Sequence, residues 1–83
     1  MPTIAFFNGI KINLYMNDHL PPHFHVYYAE YKERIVIETL ETYKGDKPLP
    51  SAKRRLVIKW VSAEGQQKFL FETFYRLNTD LLQ

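Results

Sequence analysis

"TIAFFNGIKINLYM", Thr3 to Met16, decides how this chain begins to fold. Asn8-Gly9 is the dipeptide that supplies the two positive-φ residues of a tight hairpin turn, and its flanks are rich in β-branched and aromatic residues. Thr3 to Phe7 and Ile10 to Met16 are therefore expected to pair as antiparallel strands. Within the second, Ile10, Ile12, Leu14 and Met16 alternate with Lys11, Asn13 and Tyr15, the period of a strand with one buried face.

Further along, "HFHVYYAEY" (His23 to Tyr31) and "RIVIETL" (Arg34 to Leu40) read as a second hairpin that turns near Glu30 to Glu33 without a diagnostic turn dipeptide. Alternation puts Phe24, Val26 and Tyr28 on one face and His23, His25 and Tyr27 on the other. Ile35 and Ile37 complete the buried face, with Val36 on the reverse. "ETYKGDKPLP" then holds Gly45, Pro48 and Pro50 and reads as a loop, with Pro50 suited to a first helical turn, where its missing N–H is not needed.

From Ser51 the period changes from two to about three and a half. Leu56, Trp60, Ala63, Gln67, Leu70, Phe74, Leu77 and Leu81 fall on one stripe flanked by Val57 and Phe71. One long helix over roughly 51–78 is expected; Gly65 inside it costs ~1 kcal/mol relative to Ala and marks Ser62 to Gly65 as the place for a kink or a split. The expected fold is α+β, a single domain over residues 1–83: an antiparallel sheet of about four strands from two hairpins, packed against one long C-terminal helix.

Composition narrows the function classes. The 83 residues contain no cysteine, which excludes disulfide scaffolds, thiolate zinc sites and a cysteine nucleophile, so a metal would have to bind through His, Asp or Glu. No apolar run approaches the ~18 residues of a membrane span, and "MPTIAFFNGIKI" lacks a basic leader, so a cytoplasmic location is expected. Residues 1–42 carry three Lys/Arg against five Asp/Glu, and residues 43–83 eight against four. The basic half could attract nucleic acid or an acidic protein. The three glycines are too far apart for a phosphate-cradling loop, and Ser51 and Ser62 offer no support for a serine hydrolase.

"DHLPPHFHVYY", Asp18 to Tyr28, holds every histidine of the chain. His-x-His on a strand sends both imidazoles to one face, where His23 and His25 could share a metal ion with His19 or Asp18 as a third ligand, most plainly a divalent transition metal. The same set, Asp18, His19, His23 and His25, with Lys11, Asn13, Tyr15 and Tyr27 beside it, could instead transfer protons and stabilise a phosphodiester in the manner of a ribonuclease. The structural reading is a turn closed by Asp18 and His19, with Pro21-Pro22 forcing an extended approach to the next strand.

Lys53, Arg54, Arg55 and Lys59 cluster with Lys47 around the start of the expected helix, where cations oppose the helix dipole. They are candidate contacts for phosphate or an acidic partner, or a solvated face. In "KFLFETFYRL" the aromatics exceed what one stripe buries, so Phe69 and Tyr75 are candidates for a partner or homo-oligomer surface.

"MPTIAFFNGIKINLY", "DHLPPHFHVYY", the spacing from Gly45 to Leu49-Pro50, and "LVIKW" together resemble a small bacterial family of unknown function. Its members open with Met-Pro-Thr-Ile and carry Asp-His-x-Pro-Pro-His-Phe-His-Val; Asp18, His19, Pro21, Pro22, His23, Phe24, His25 and Val26 match that run, as do Gly45, Leu49, Pro50 and Trp60. The chain departs from the pattern at Phe74, near which relatives carry Trp, and at Gln66-Gln67, where they carry charge. The resemblance implies a toxin–antitoxin-like gene pair with a small, DNA-binding partner protein encoded nearby. The leading expectation is thus a small cytoplasmic interaction protein of such a module. The alternative is a histidine-based or metal-dependent phosphodiesterase, ribonuclease-like, built on Asp18, His19, His23 and His25; plain nucleic-acid binding through the basic cluster is a third.

Overall fold

Asn8 and Gly9 take left-handed φ values of 51° and 75°, and the strands either side of them pair with Phe7 opposite Ile10. These positions belong to a computed structural model that describes residues 3–16 and 18–82; Met1 and Pro2, the first half of the Met-Pro-Thr-Ile opening, lie outside them. β1 (Thr3–Phe7), β2 (Ile10–Asn13), β3 (His23–Tyr28) and β4 (Tyr31–Val36) form one antiparallel sheet in sequence order. Gly9 sits over the Tyr28 ring, whose nearest carbon would lie 3.5 Å from an added Cβ, so a side chain there would meet both strain and contact.

The second hairpin is tighter than its sequence suggests. Tyr28 pairs with Tyr31 across the two residues Ala29-Glu30, so β4 starts three residues before the expected Arg34. Ala29 adopts φ 52°, a conformation that a residue with a Cβ rarely takes, and for that reason the turn carries no Gly or Asn signal. β4 ends at Val36, after which the chain doubles back: Tyr43 N–H donates to the Arg34 carbonyl, Val36 N–H to the Glu41 carbonyl, and Arg34 N–H to Asp46 Oδ2. This return covers the outer edge of β4 where it would otherwise expose unpaired backbone groups.

A correction applies to the helix. In place of one long helix over 51–78 there are two, α1 (Ser51–Val61) and α2 (Gln66–Leu77), followed by a single 3₁₀ turn, Thr79–Leu82. Gly65 sits at φ 82°, outside helical space, and the ladder has already tightened ahead of it, with Ala63 N–H bonded to the Trp60 carbonyl. The chain turns there because glycine meets no steric penalty in that conformation. Pro50 stands one position ahead of the helix, its carbonyl accepting from Lys53 and Arg54 N–H. No described helix is long and apolar enough to cross a membrane.

Ile10, Ile12 and Leu14, Phe24 and Val26, and Ile35 and Ile37 are buried in one core with Val57 and Val61 of α1 and Leu70 and Phe74 of α2. Trp60 is partly buried, its ring 6.0 Å from that of Phe7 and 6.4 Å from Phe24. Glu33 is buried on this same face. Its carboxylate accepts from Leu49 N–H, Thr42 Oγ1 and Arg54 Nε, which ties the 42–49 loop and the start of α1 to the sheet.

Candidate functional site

On the sheet face opposite the core, the antiparallel register lines up two polar rows. Lys11, Tyr27 and Lys32 are cross-strand neighbours, as are Asn13, His25 and Arg34. Next along β3 comes His23, and there the exposure expected from alternation ends: His23 is fully buried. It is the first residue of β3, and its ring lies 4.8 Å from Tyr43, 5.4 Å from His19 and 5.9 Å from Phe74 of α2. Tyr43 of the return loop and Phe74 of α2 therefore enclose this ring.

Asp18 reaches this end from the loop between β2 and β3. Asn78, buried at the end of α2, holds that loop: Asp18 N–H donates to Asn78 Oδ1 at 2.7 Å, and Asn78 Nδ2 donates to the Tyr15 and Phe74 carbonyls. His19 N–H donates to Asp18 Oδ1, which leaves the other carboxylate oxygen directed at the histidines. Asp18 Oδ2 lies 3.0 Å from His25 Nε2 and 3.1 Å from His23 Nε2. The ligand-capable atoms of Asp18, His23 and His25 all lie within 4.8 Å of one another.

His19 goes elsewhere. Its Nδ1 is 3.0 Å from the Tyr43 hydroxyl and the residue is exposed, so the three groups drawn together are Asp18, His23 and His25. Lys53, Arg54, Arg55 and Lys59 do not stay together either. Arg54 turns inward to Glu33, the Leu40 carbonyl and Thr42, and Lys53 Nζ stands 4.8 Å over the Tyr28 ring, while Arg55 and Lys59 are exposed.

The protonation pattern around His23 is over-determined. Its Nδ1 is 2.8 Å from the Pro21 carbonyl, so Nδ1 carries the proton and donates it. Burial holds the imidazole below its ordinary pKa, opposed by that hydrogen bond and by the Asp18 charge, so the ring is neutral. A neutral ring with a proton on Nδ1 has only a lone pair at Nε2. That lone pair is buried, has no hydrogen-bond partner, and lies 3.1 Å from a carboxylate oxygen. Two acceptors face each other at that distance, an arrangement that a cation or an additional proton relieves.

Asp18 is ionised. Burial pushes its pKa up, but the hydrogen bonds from His25 and from the His19 N–H outweigh it and hold the carboxyl below its ordinary value. Beside it, Asn13 Nδ2 donates to the Tyr15 hydroxyl, which is 2.8 Å from the Tyr27 hydroxyl. Burial and this contact push Tyr27 up to about 12, so the phenol keeps its proton. The Tyr15 ring meets His25 edge-on, with centroids 4.5 Å apart, and fixes the imidazole plane.

Sequence reasoning missed Asn78, Arg34, Asp46 and Tyr43. Asn78 had a usable signal, an Asn at the end of the expected helix, where Asn is a common stop. Asp46 binds Arg34 through both oxygens, and the Arg34 guanidinium lies 4.2 Å from the Tyr43 ring centre. Nothing local in "YKGD" announces those contacts.

A family model described as a domain of unknown function, DUF4160, matches residues 9–72, a stretch that takes in Asp18, His23 and His25. No curated protein and no solved structure matches the chain.

Proposed function

The chain belongs to the DUF4160 family, and from that premise we propose that it is a metal-dependent phosphodiesterase whose centre is Asp18, His23 and His25. The observation that carries this reading is the buried Nε2 of His23, a lone pair without a partner 3.1 Å from the Asp18 carboxylate. Metal bonds of roughly 2.0–2.1 Å put adjacent ligand atoms about 3 Å apart, which is the spacing of Asp18 Oδ2 from both imidazoles. The His23 Nδ1–H···O=C bond to Pro21 is the outer contact that metal-binding histidines ordinarily make, since it fixes the tautomer and leaves Nε2 free to bind.

Three protein ligands leave further positions of an ion open, the pattern of a catalytic centre rather than a closed structural one. Asp18, His23 and His25 would hold a divalent ion there, which when bound would supply Lewis acidity and lower the pKa of a coordinated water. Asp18 and His25 hold the open side, being 11% and 19% exposed, whereas His23 forms the dry wall. Lys32, next to Tyr27 in the cross-strand register, provides positive charge where a phosphoryl group would lie.

The resemblance to bacterial toxin–antitoxin-like pairs belongs to the same proposal: a cytoplasmic phosphodiesterase acting on RNA is a chemistry that a neighbouring partner protein would hold in check. Purified protein, obtained without a metal-affinity step, is expected to contain about one equivalent of transition metal by mass spectrometry. It should cleave a single-stranded RNA with Mn²⁺ or Zn²⁺ and stop in EDTA. Asp18→Asn and His25→Asn should lose both metal and cleavage, and His19→Ala should keep both. Metal-free protein that cannot be loaded, or cleavage indifferent to EDTA, rejects the metal reading.

A second reading, a pure interaction protein, draws on Phe69, 43% exposed on α2. It requires that Phe69→Asp abolish co-purification with the product of the neighbouring gene, while Asp18→Asn with His25→Asn leaves the biological effect of the pair intact.

A further inference from the structure

Beside His25 the polar face deepens into an open groove of about 660 Å³, lined by Tyr27, Lys32, Arg34, Asp46 and Lys47 among others. Its charges are unequal in availability. Arg34 is neutralised by Asp46 in a two-point pair, with Nη2 to Oδ1 at 2.8 Å and Nε to Oδ2 at 3.0 Å. Glu33 also borders the groove, but its side chain is fully buried and its oxygens are taken by Arg54, Thr42 and Leu49. Lys32 and Lys47 are exposed, and neither has an acidic partner among the described residues.

Lys11 adds a third cation to this side. It sits on β2 across Tyr27 from Lys32, its ammonium 5.4 Å from the centre of the Tyr27 ring. Two inter-strand steps separate Lys11 from Lys32, about 9–10 Å of sheet at the usual strand spacing. A span of that size can hold successive phosphates of one strand. His25 lines this groove and its Nε2 faces Asp18, so a chain lying against His25 borders the proposed metal centre.

We propose that this groove, with Lys11, Lys32 and Lys47 as its phosphate contacts, is a track for single-stranded nucleic acid that delivers a phosphodiester to Asp18, His23 and His25. The inference rests on the phosphodiesterase reading for its purpose, but the binding itself needs no metal. A single strand is the expected occupant because the Tyr27 ring lines the groove among these cations, the combination of cation and aromatic face that binds unpaired bases. Arg34 acts as a positioning residue: fixed by Asp46 and by the Tyr43 ring, it holds the groove wall next to His25.

The test is fluorescence anisotropy with a labelled 12-nucleotide single-stranded RNA in EDTA, alongside the same sequence as DNA and as a duplex. Lys32→Glu with Lys47→Glu should weaken binding at least tenfold and lower the salt slope by about 1.4, the loss of two phosphate contacts on a single strand. Lys11→Ala should weaken it less. Arg55→Glu with Lys59→Glu, a charge change of the same size on α1, is the control and should leave affinity within twofold. The proposal is overturned if the control pair costs as much as the groove pair, if the groove pair costs nothing, or if duplex or heparin binds as tightly as the single strand. Metal content of the wild type is measured before EDTA is added and again after incubation with Mn²⁺ or Zn²⁺. Protein that holds no metal in either case, with groove-dependent binding intact, sinks the phosphodiesterase reading and leaves the nucleic-acid track standing.

Discussion

Glu33 carries a carboxylate into the core where β4 faces the 42–49 loop, and its three hydrogen bonds all go to groups outside the sheet. Removing one partner of a buried pair leaves the other charge without compensation; Arg54 keeps 24% of its side chain in water, so the cost falls at the low end of the usual range. Glu33→Gln is expected to lower stability by about 3 kcal/mol in urea unfolding. A loss under ~1 kcal/mol would mean that the loop is held by something else. The same geometry makes Arg54 a poor probe of surface charge, because Arg54→Glu would set two carboxylates against each other. Asp46 gives a pH-dependent counterpart. The hydrogen bond from Arg34 lowers its pKa against the opposing effect of burial, so its contribution is complete above the ordinary carboxyl value of 3.8 and is lost as pH falls through the lower folded value. Asp46→Asn should therefore cost about 1–2 kcal/mol at pH 7, with the gap to wild type closing below pH ~4 in thermal melts. A gap that stays constant down to pH ~2.5 would show that the charge is not what stabilises this contact.

Gly65 is the test at the scale of the elements. No atom lies within 4 Å of where a Cβ would stand on it, so Gly65→Ala reads the backbone alone. In a continuous helix that change would stabilise by ~1 kcal/mol; at φ 82° it should destabilise by about 1–2 kcal/mol. The sign of the shift in melting temperature separates the two. Why the first hairpin was readable from its residues and the helix pair was not follows from the same physics. Asn8-Gly9 states its dihedrals through residue type, and the alternation of Ile10, Ile12 and Leu14 states its face. Gly65 is compatible with either a costly helical residue or a left-handed break, and the stripe from Leu56 to Leu81 runs through both alternatives. At the site, the side-by-side placement of His23 and His25 is written in their spacing. The burial of His23 is not, since it comes from Phe74 and Tyr43, each distant in sequence. Ala29, at φ 52°, hides the second turn because nothing in an alanine announces it.

Across the whole molecule, Asp18, His23 and His25 are held by parts that meet only in the complete fold: the loop after β2, the start of β3, and Asn78 beyond α2. Whatever binds the three groups therefore binds the folded state and not the open chain. A ligand present at a hundred times its dissociation constant stabilises by about 2.7 kcal/mol, which for a domain of this size is a rise of roughly 11–22 °C in melting temperature. Mn²⁺ or Zn²⁺ is expected to raise the melting temperature of the wild-type protein on that scale, with the increment growing with the logarithm of free metal. His25→Asn should flatten the response while its metal-free melting temperature stays close to wild type, because His25 is part-exposed and lies outside the core. Asn78→Ala should lower the metal-free melting temperature, since the α2 end loses its hold on Asp18, and should also weaken the metal response by loosening the backbone that positions the Asp18 carboxylate. A wild-type curve that does not move with metal, measured beside an Asn78→Ala curve that melts early, would leave Asn78 as a structural clamp and remove the metal centre from the account.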